Sequence, residues 1–582
     1  MSDIIVGDDE NEDQIDSNLE KDRRSKAKTA LPGRRFYVVL SVLVIIGFMI
    51  QWNADAIVEM VPAFGRAFAN ILILPLIIVG LFSFMRWFLW GSVYRWPIKM
   101  VVVLAILSFP FVFKIEHGGD LFSYNVRLRL LSPDQLLALP EVDEASDFPT
   151  NAPASTALPF LGFLGSDRSG RIPGVELESW STEPPSLVWR RDIGAGWSAF
   201  AATQGMAITQ EQRGDQELVT AYNIQTGKPI WFHAETLRHE DELGGIGPRA
   251  TPTLDGDQVF AQGATGILVC LDLKTGRLIW RRDIVRDVGS DEQADVAAVV
   301  WGRSGSPLVE GDLVIVPGGG RNGQFSSLVA YHRNTGDIVW RGGDQQISYS
   351  SPVTMTLDGR RQIVIVNEGS VAGHDPMTGE ELWRHERPGH SSSDANTSQP
   401  QQVDDCHLLV TKGYGLGGEL LNIQHASEVE SEDTERANTD MIVQSVWANP
   451  RVLRTKLTSA IVHDGHAFGL NEGILECVNL KDGSRLWKGD RYRHGQMLIV
   501  GDDLVLLSED GDLYSMPATA EKSDRSTAIH ALSGNTWNNL CLWGEFLIVR
   551  NAQEAACYQL QLRSPRVGKA SDRNPAETQP RE

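Results

Sequence analysis

The sequence predicts an all-β fold, an eight-bladed β-propeller, preceded by about three transmembrane helices. Three observations support this prediction. A hairpin phrase with Gly four residues before Trp recurs along the chain, a similar strand start recurs at matching intervals, and three apolar runs stand near the N-terminus. Repeats of about 40–50 residues are typical of stacked supersecondary units, and the propeller is the all-β member of that group.

The hairpin phrase is clearest at five places. In each, a strand leads into a Thr-Gly or Asp-Gly turn, and a second strand then runs to Trp. Gly supplies the positive φ that closes such a turn, and a preceding Asp or Asn can bond the turn backbone. The turn glycines are Gly227, Gly276, Gly336, Gly379 and Gly483, and their tryptophans are Trp231, Trp280, Trp340, Trp383 and Trp487.

Two further Trp strands complete the count. The interval from Trp383 to Trp487 is about twice the others, which predicts a degenerate copy around 420–424 that ends at Trp447. The strand ending at Trp189 has no hairpin before it, and the last strands near 545–560 have no Trp strand after them. We expect the first strand to complete the last blade, because this closes the ring and leaves no open sheet. A seventh blade ends near 528–532.

The innermost strand of each blade also has a recognisable start. Eight such starts occur, which matches the eight blades counted from the hairpins. They are Ser198-Ala-Phe, Thr251-Pro-Thr, Ser306-Pro-Leu, Ser351-Pro-Val, Gln399-Pro-Gln, Ser459-Ala-Ile, Gln496-Met-Leu and Trp537-Asn-Asn.

These hairpins resemble the tryptophan-docking repeats of the pyrroloquinoline-quinone (PQQ)-like propellers. That superfamily contains quinoprotein dehydrogenases and the outer-membrane assembly lipoproteins of the BamB type. The resemblance covers residues 159–562 and implies that each repeat Trp packs between neighbouring blades. The residues concerned are Trp189, Trp231, Trp280, Trp340, Trp383, Trp447 and Trp487.

The chain divides into five predicted regions. An acidic and then basic tail (1–35) precedes a membrane domain (36–114), a linker (115–158), the propeller (159–562) and a polar tail (563–582). The apolar runs of the membrane domain are 36–52, 67–85 and 101–113. The first is near the minimum length for spanning a bilayer, and the third reaches that length only with its flanks.

Basic residues set the predicted topology. Lys21, Arg23, Arg24, Lys26, Lys28, Arg34 and Arg35 precede the first run, and Arg86, Arg95 and Lys99 lie between the second and third. Because Lys and Arg accumulate on the cytoplasmic side, we expect a cytoplasmic N-terminus. Three spans in the inner, cytoplasmic membrane then place the propeller in the periplasm.

Composition narrows the function classes. The formal net charge of −22 is opposite to the basic face that nucleic-acid binding needs. The chain has five cysteines, an odd number that cannot pair completely. Cys270, Cys477 and Cys557 share one strand position in three blades, and we expect them to be small residues packed between sheets. The 13 histidines show no spacing that defines a metal site, so none is predicted.

The candidate ligand site is one mouth of the central channel, where polar residues precede the innermost strands. Arginine, lysine and histidine there would suit an anionic or quinone-like ligand, although such side chains can equally be solvated. The candidate residues are Glu211, Arg213, Arg249, Arg303, Tyr349, Lys456, His494 and Trp537.

Two functions remain open. The resemblance allows a PQQ-dependent quinoprotein oxidoreductase, which would need PQQ, a calcium ion held by oxygen ligands and a carboxylate base. Alcohol-oxidising relatives commonly carry adjacent cysteines or a haem Cys-x-x-Cys-His, and this sequence has neither. A binding or scaffold module with protein partners in the cell envelope, in envelope or outer-membrane protein assembly, needs less special chemistry and is the favoured prediction.

Overall fold

The computed structural model describes residues 31–53, 67–117, 124–128, 135, 137–142, 159–241, 243–321, 323–425, 441–523 and 526–563. The chain forms two units, Met1–Leu130 and Leu131–Glu582, which are taken separately below. Most of the predicted linker and of the two terminal tails lies outside the described residues, so these regions remain predictions.

The described residues of the first unit form three apolar helices, Arg34–Trp52, Ala67–Arg86 and Trp96–Val112. The first of these buries none of its residues, although almost all of them are apolar. By length and composition, the described residues include two helices able to cross a membrane, the first at Arg34–Trp52 and the second at Leu72–Gly91. The expected three spans are therefore corrected to two helices of spanning length and a shorter third, because its 17 residues fall below the typical ~20.

A lysine ties the second and third helices together. The second helix ends in a single π-helical turn at Trp87–Gly91. The Lys99 ammonium donates to the carbonyl of Leu89 at 2.7 Å and to that of Ser92 at 3.2 Å. A cation near a helix C-terminus satisfies carbonyls that the helix leaves unpaired. A hairpin of Phe113–His117 and Tyr124–Leu128 follows the third helix.

The second unit is a ring of eight antiparallel sheets, which confirms the predicted eight-bladed propeller. Blade 1 comprises Ala201–Thr203, Met206–Arg213, Gln216–Asn223 and Pro229–Glu235. Blade 2 comprises Thr253–Asp255, Gln258–Gln262, Ile267–Asp272 and Leu278–Asp283. Blade 3 comprises Leu308–Glu310, Leu313–Arg321, Gln324–His332 and Ile338–Gly342. Blade 4 comprises Val353–Leu357, Arg360–Val366, Ser370–His374 and Glu381–Glu386.

The remaining four blades follow the same order from the channel outward. Blade 5, the predicted degenerate copy, comprises Gln401–Gln402, His407–Lys412, Gly417–His425 and Met441–Asn449. Blade 6 comprises Ile461–His463, His466–Asn471, Ile474–Asn479 and Arg485–Arg491. Blade 7 comprises Gln496–Val500, Asp503–Leu507, Asp512–Pro517 and Thr527–His530. Blade 8 comprises Cys541–Trp543, Phe546–Arg550, Glu554–Gln559 and, from the start of the propeller, Ser186–Asp192.

Short elements complete the unit. Arg171–Ile172 adds a parallel strand to the inner edge of blade 7, and Glu176–Leu177 pairs with Leu562–Arg563. Glu240–Asp241 pairs with Gly245–Ile246 after blade 1, and two short helices, Ile284–Asp287 and Glu292–Ala298, follow blade 2.

The first strand of the propeller closes the ring, as predicted. Ser186–Asp192 lies antiparallel to Glu554–Gln559, with Trp189 opposite Cys557. The outermost strand of blade 8 therefore comes from the beginning of the domain. This pairing joins the two ends of the ring by backbone hydrogen bonds.

Five of the seven repeat tryptophans pack against the turn glycine of the next blade, which leaves room for the indole. Gly336 has φ +75°, and a Cβ there would stand 2.8 Å from Cδ2 of Trp280. The indole N–H donates to a carbonyl of the following blade in five cases: Trp189 to Ile224 (2.6 Å), Trp231 to Leu273 (2.9 Å), Trp280 to Arg333 (2.7 Å), Trp447 to Leu480 (2.7 Å) and Trp487 to Thr519 (3.0 Å).

Two tryptophans depart from this pattern. Trp340 lies over Gly379 of blade 4, but its N–H has no hydrogen-bond partner among the described residues. Trp383 instead bonds the Gln362 side chain of its own blade. The turn of the neighbouring degenerate blade lies outside the described residues.

Hydroxyl groups join the strand starts of neighbouring blades on the channel side. In each case the Ser or Thr hydroxyl accepts the backbone N–H of the equivalent residue in the preceding blade. The bonds run from Ala199 to Thr251 (3.2 Å), Thr251 to Ser306 (3.0 Å), Ser306 to Ser351 (2.9 Å) and Gln399 to Ser459 (3.0 Å). The recurring Ser and Thr of the strand starts thus have a structural role in the ring.

Candidate ligand site at the channel mouth

The candidate residues lie at one end of the channel. Arg249, Arg303 and Lys456 precede the innermost strands of blades 2, 3 and 6, and strands return antiparallel to that same end. Glu211 and Arg213 therefore reach the mouth at the end of the second strand of blade 1. We call this end the mouth and the opposite end the far end.

Glu211 is the centre of a buried charge cluster between blades 8 and 1. Its carboxylate lies 3.2 Å from Arg213 Nη2 and accepts the Tyr222 hydroxyl at 2.8 Å and the Gly194 N–H at 2.5 Å. Burial by itself would raise the pKa of Glu211, but the charges of Arg213 and Arg550 and these hydrogen bonds hold it below its usual range. The carboxylate therefore stays ionised, and both its charge and its hydrogen-bonding capacity are used within the protein.

Arg550, which the sequence did not single out, completes this cluster. Its guanidinium is buried and donates to Thr209 Oγ1 at 2.8 Å and to the carbonyls of Gln210 and Gly194 at 2.9 and 2.7 Å. Burial lowers its pKa to about 10. The group joins the last blade to the first at the point where the ring closes.

Arg249 and Arg303 are each neutralised by an aspartate eight residues earlier. Arg249 Nη2 lies 2.6 Å from Asp241 Oδ2. Arg303 binds Asp295 through two bonds, of 3.0 and 2.6 Å, and also donates to the carbonyl of Pro317. Burial lowers the pKa of Arg249, and Asp241 opposes that change.

Lys456 belongs to a third cluster, between blades 5 and 6. Its ammonium lies 2.9 Å from Glu472 Oε2 and 4.7 Å from the centre of the Tyr414 ring. The Glu472 side chain is 9% exposed, and its second oxygen has no hydrogen-bond partner among the described residues. Tyr414 and Glu472 both have positive φ, 55° and 49°, a conformation that costs energy in residues other than Gly.

Aromatic side chains form two pairs around the mouth. Trp197 and Trp537 lie with ring centres 4.5 Å apart, and Trp301 stacks on Tyr349 at 5.0 Å. The Tyr349 hydroxyl donates to the carbonyl of Ser391 at 2.9 Å. Trp537 and Tyr349, one ring of each pair, are buried, each 8% exposed.

The last candidate, His494, follows the left-handed residue Arg493 (φ 54°). Its backbone N–H donates to Glu509 Oε2 at 2.9 Å. This bond fixes the strand start of blade 7 at the mouth.

The mouth therefore carries paired charge. Arg213, Arg249, Arg303 and Lys456 each have a carboxylate partner. A calcium ion at this mouth would have to displace guanidinium or ammonium groups from these carboxylates. Among the described residues, no group of three His, Cys, Asp or Glu side chains is placed to hold a metal ion. The donor set at the mouth thus does not fit a calcium-held quinone.

Sequence reasoning placed the basic residues at the mouth but missed their partners. Asp241 and Asp295 lie in the connections between blades, and the shared interval of eight residues to Arg249 and Arg303 was the available signal. Glu472 and Tyr414 come from different blades, and no local pattern relates them to Lys456.

A buried carboxyl near the mouth makes stability depend on pH. Burial raises the pKa of Glu217 to about 7, and the Ala264 N–H and Arg249 only partly oppose this. Because the folded state holds this proton more tightly than the unfolded state, the stabilisation is complete in acid and is lost as pH rises towards and through 7. Between pH 5 and pH 8 we expect the wild type to lose on the order of 3 kcal/mol more stability than Glu217→Gln.

Urea unfolding of both proteins at the two pH values measures this difference. Glu292→Gln, which alters an exposed carboxyl, is the matched control and should follow the wild type. Equal pH dependence in the wild type and Glu217→Gln would contradict the burial of an acidic proton at this position.

Comparison with known proteins agrees with the fold and with the repeat residues. The sequence profile of the family described as "Outer membrane protein assembly factor BamB" matches residues 174–302 and 216–489. These matches cover more than half of the chain and lie within the ring. The propeller with tryptophan-docked blades is thus of the PQQ-like class, and the chain belongs to this BamB family.

Individual relatives match parts of the ring. The chain is 27% identical over 223 residues to outer membrane protein assembly factor BamB of Kangiella koreensis, covering 38% of this chain and 49% of the relative. It is 28% identical over 147 residues to quinohemoprotein alcohol dehydrogenase ADH IIB of Pseudomonas putida, and this match covers 23% of this chain and 19% of the relative. The chain thus spans about half of the first relative's length and less of the second.

One solved structure gives a likeness of fold alone. A europium-containing methanol dehydrogenase matches with a TM-score of 0.51 at 10% identity, covering 69% of this chain and 98% of that one. This match shows a shared fold and says nothing about chemistry at the mouth.

Proposed function

We propose that this protein is a membrane-anchored propeller that acts as a binding and scaffold module in the assembly of envelope proteins. Membership of the BamB family supports this role. The pairing of charges within the mouth also supports the scaffold role, because a scaffold does not need charged side chains that are available to a ligand in its channel.

The observation that carries the proposal is on the outer rim of the ring. The outermost strands of several blades expose apolar side chains immediately before the docking Trp, including Val339 (50% exposed) and Val446 (47%). Exposed apolar side chains along unpaired strand edges are suited to contact with another protein. We call this surface, formed by Leu187, Val188, Leu278, Ile279, Val339, Val446 and Leu486, the outer rim.

Site-specific photo-crosslinking tests the role of the outer rim. A photoreactive residue replacing Val339 or Val446 in the full-length protein is expected to capture a protein of the envelope assembly machinery, identified by mass spectrometry. The same residue at exposed Arg321 is the control and should capture nothing specific. Crosslinking only from the mouth, at Lys456, would contradict a rim contact.

The quinoprotein alternative is tested directly with its cofactor. Titration with PQQ and Ca²⁺ should leave the absorbance and the melting temperature without a saturable change. Saturable binding that is lost in Lys456→Ala would establish a mouth site and overturn the preference for a scaffold.

We further propose that the protein lies in the inner membrane with a cytoplasmic N-terminus and an extracytoplasmic propeller. This topology depends on whether the 17-residue helix Trp96–Val112 crosses together with the two longer helices, because it needs an odd number of spans. At 1.5 Å per residue it measures about 26 Å, against roughly 30 Å of hydrocarbon.

Reporter fusions distinguish the two topologies. Alkaline phosphatase, which is active only in the periplasm, is expected to be active after Phe122 and inactive after Ser92, because basic residues hold that loop in the cytoplasm. An inactive fusion after Phe122 would mean that only the two longer helices cross, and that the propeller faces the cytoplasm.

A further inference from the structure

A segment of the chain itself occupies the far end of the channel. Residues Pro159–Ile172, here the channel segment, begin on blade 1, where Phe160 and Ala202 exchange backbone hydrogen bonds of 2.9 and 2.7 Å. The Leu161 carbonyl then accepts the N–H of Leu254 on blade 2 at 2.8 Å. Both partners lie on innermost strands, whose inner edges would otherwise be unpaired.

The other end of the channel segment pairs with blade 7. The Gly170 carbonyl accepts the Ile499 N–H, and the Ile172 carbonyl accepts that of Gly501, both at 2.9 Å. Gly170 also lies against Ile461 of blade 6, since a Cβ there would stand 3.0 Å from Ile461 Cδ1. The segment thus crosses the channel from blades 1 and 2 to blades 6 and 7.

Between these ends, Arg168 points towards the mouth and is bound by backbone carbonyls. Its Nη1 donates to the carbonyls of Ser306 and Pro352, at 3.1 and 2.6 Å, and its Nη2 donates to that of Pro307. The residue is 5% exposed and has φ 60°. These acceptors, from blades 3 and 4, form a carbonyl cage around one guanidinium.

We propose that the far end of the channel is a binding site for an extended peptide with one arginine, and that the channel segment is its resident occupant. Backbone pairing along strand edges binds a peptide largely independently of its sequence. The carbonyl cage adds selectivity, because only arginine presents several N–H donors in a fixed planar fork. The channel segment therefore closes the far end of the channel. A ligand that enters through the mouth would meet the side chain of Arg168.

The first test asks whether Arg168 anchors the segment in the full-length protein. In Arg168→Asp, a carboxylate would face the carbonyl cage and should release the segment. Hydrogen exchange at the amides of Leu254, Ile499 and Gly501, which the segment protects, is expected to become roughly tenfold faster or more. Arg171→Asp, at an exposed position of the same segment, is the matched control and should exchange like the wild type.

The second test supplies the occupant from outside. A fluorescent synthetic peptide of residues 159–172 should bind Arg168→Asp saturably in anisotropy measurements, and should not bind the wild type, whose site is filled. The same peptide carrying Arg168→Ala should bind at least tenfold more weakly. These two arms separate a peptide site from non-specific adhesion.

Each other outcome overturns part of the proposal. Unchanged exchange in Arg168→Asp would show that the guanidinium does not hold the segment. If hydrogen exchange in Arg168→Asp became faster but the peptide did not bind, the strand edges exposed by release of the segment would not be a peptide-binding site. If Arg168→Asp does not fold, Arg168→Lys replaces it, because lysine keeps the charge but lacks the planar fork. Exchange at the same three amides and binding of the same peptide are then measured on Arg168→Lys, with the same expected results.

Discussion

Trp280→Ala is expected to lower the free energy of unfolding of the propeller by about 3–5 kcal/mol. The indole is 8% exposed and lies between blades 2 and 3, over Gly336 and beside Tyr331. Its removal leaves a cavity between two sheets, and the carbonyl of Arg333 loses a hydrogen bond of 2.7 Å. Urea unfolding followed by intrinsic fluorescence measures the loss.

A matched control separates blade docking from general loss of apolar surface. Val339→Ala shortens a half-exposed side chain on the outer rim and should change stability by no more than about 0.5 kcal/mol. An unfolding midpoint in Trp280→Ala equal to that of the wild type would mean that the tryptophans do not hold neighbouring blades together.

Glu211→Ala should be comparably harmful, at about 3–5 kcal/mol. The substitution leaves Arg213 and Arg550 buried together without the carboxylate that neutralises them. Glu211→Gln keeps the shape and one acceptor, so the difference between these two variants measures the contribution of charge.

The control for this prediction is an exposed ion pair. Arg321 and Asp291 form a salt bridge with both side chains more than half exposed, and Arg321→Ala should cost about 0–1 kcal/mol. If Glu211→Ala and Arg321→Ala lowered the free energy of unfolding equally, the buried charge cluster around Glu211 would stabilise the protein no more than an exposed ion pair does.

Local repetition explains why the blade count could be predicted. In five of the blade junctions the turn Gly of one blade meets the Trp of the blade before it, so the same two residues recur along the sequence. The strand starts were also readable, because a hydroxyl such as that of Ser306 bonds its neighbour in the ring. Both signals arise from contacts that symmetry repeats.

Contacts made only once left no such signal. Glu472 approaches Lys456 from another part of blade 6, and Arg550 crosses from the last blade to the first. The channel segment carries no repeat pattern and was included in the propeller without a role. The third apolar helix was counted as a span because its run of apolar residues resembles those of the other two, although the helix itself has only 17 residues.

Ring closure by Ser186–Asp192 has a consequence for biosynthesis. This is the first blade strand to be made, yet its partner strand, Glu554–Gln559, is among the last parts of the propeller to leave the ribosome. While the blades between these two strands are made, it is an unpaired strand that carries Leu187 and Val188, which are exposed even in the finished ring. Such an edge is prone to pair with other chains, so nascent and truncated forms of this protein should depend on chaperones far more than the finished ring does.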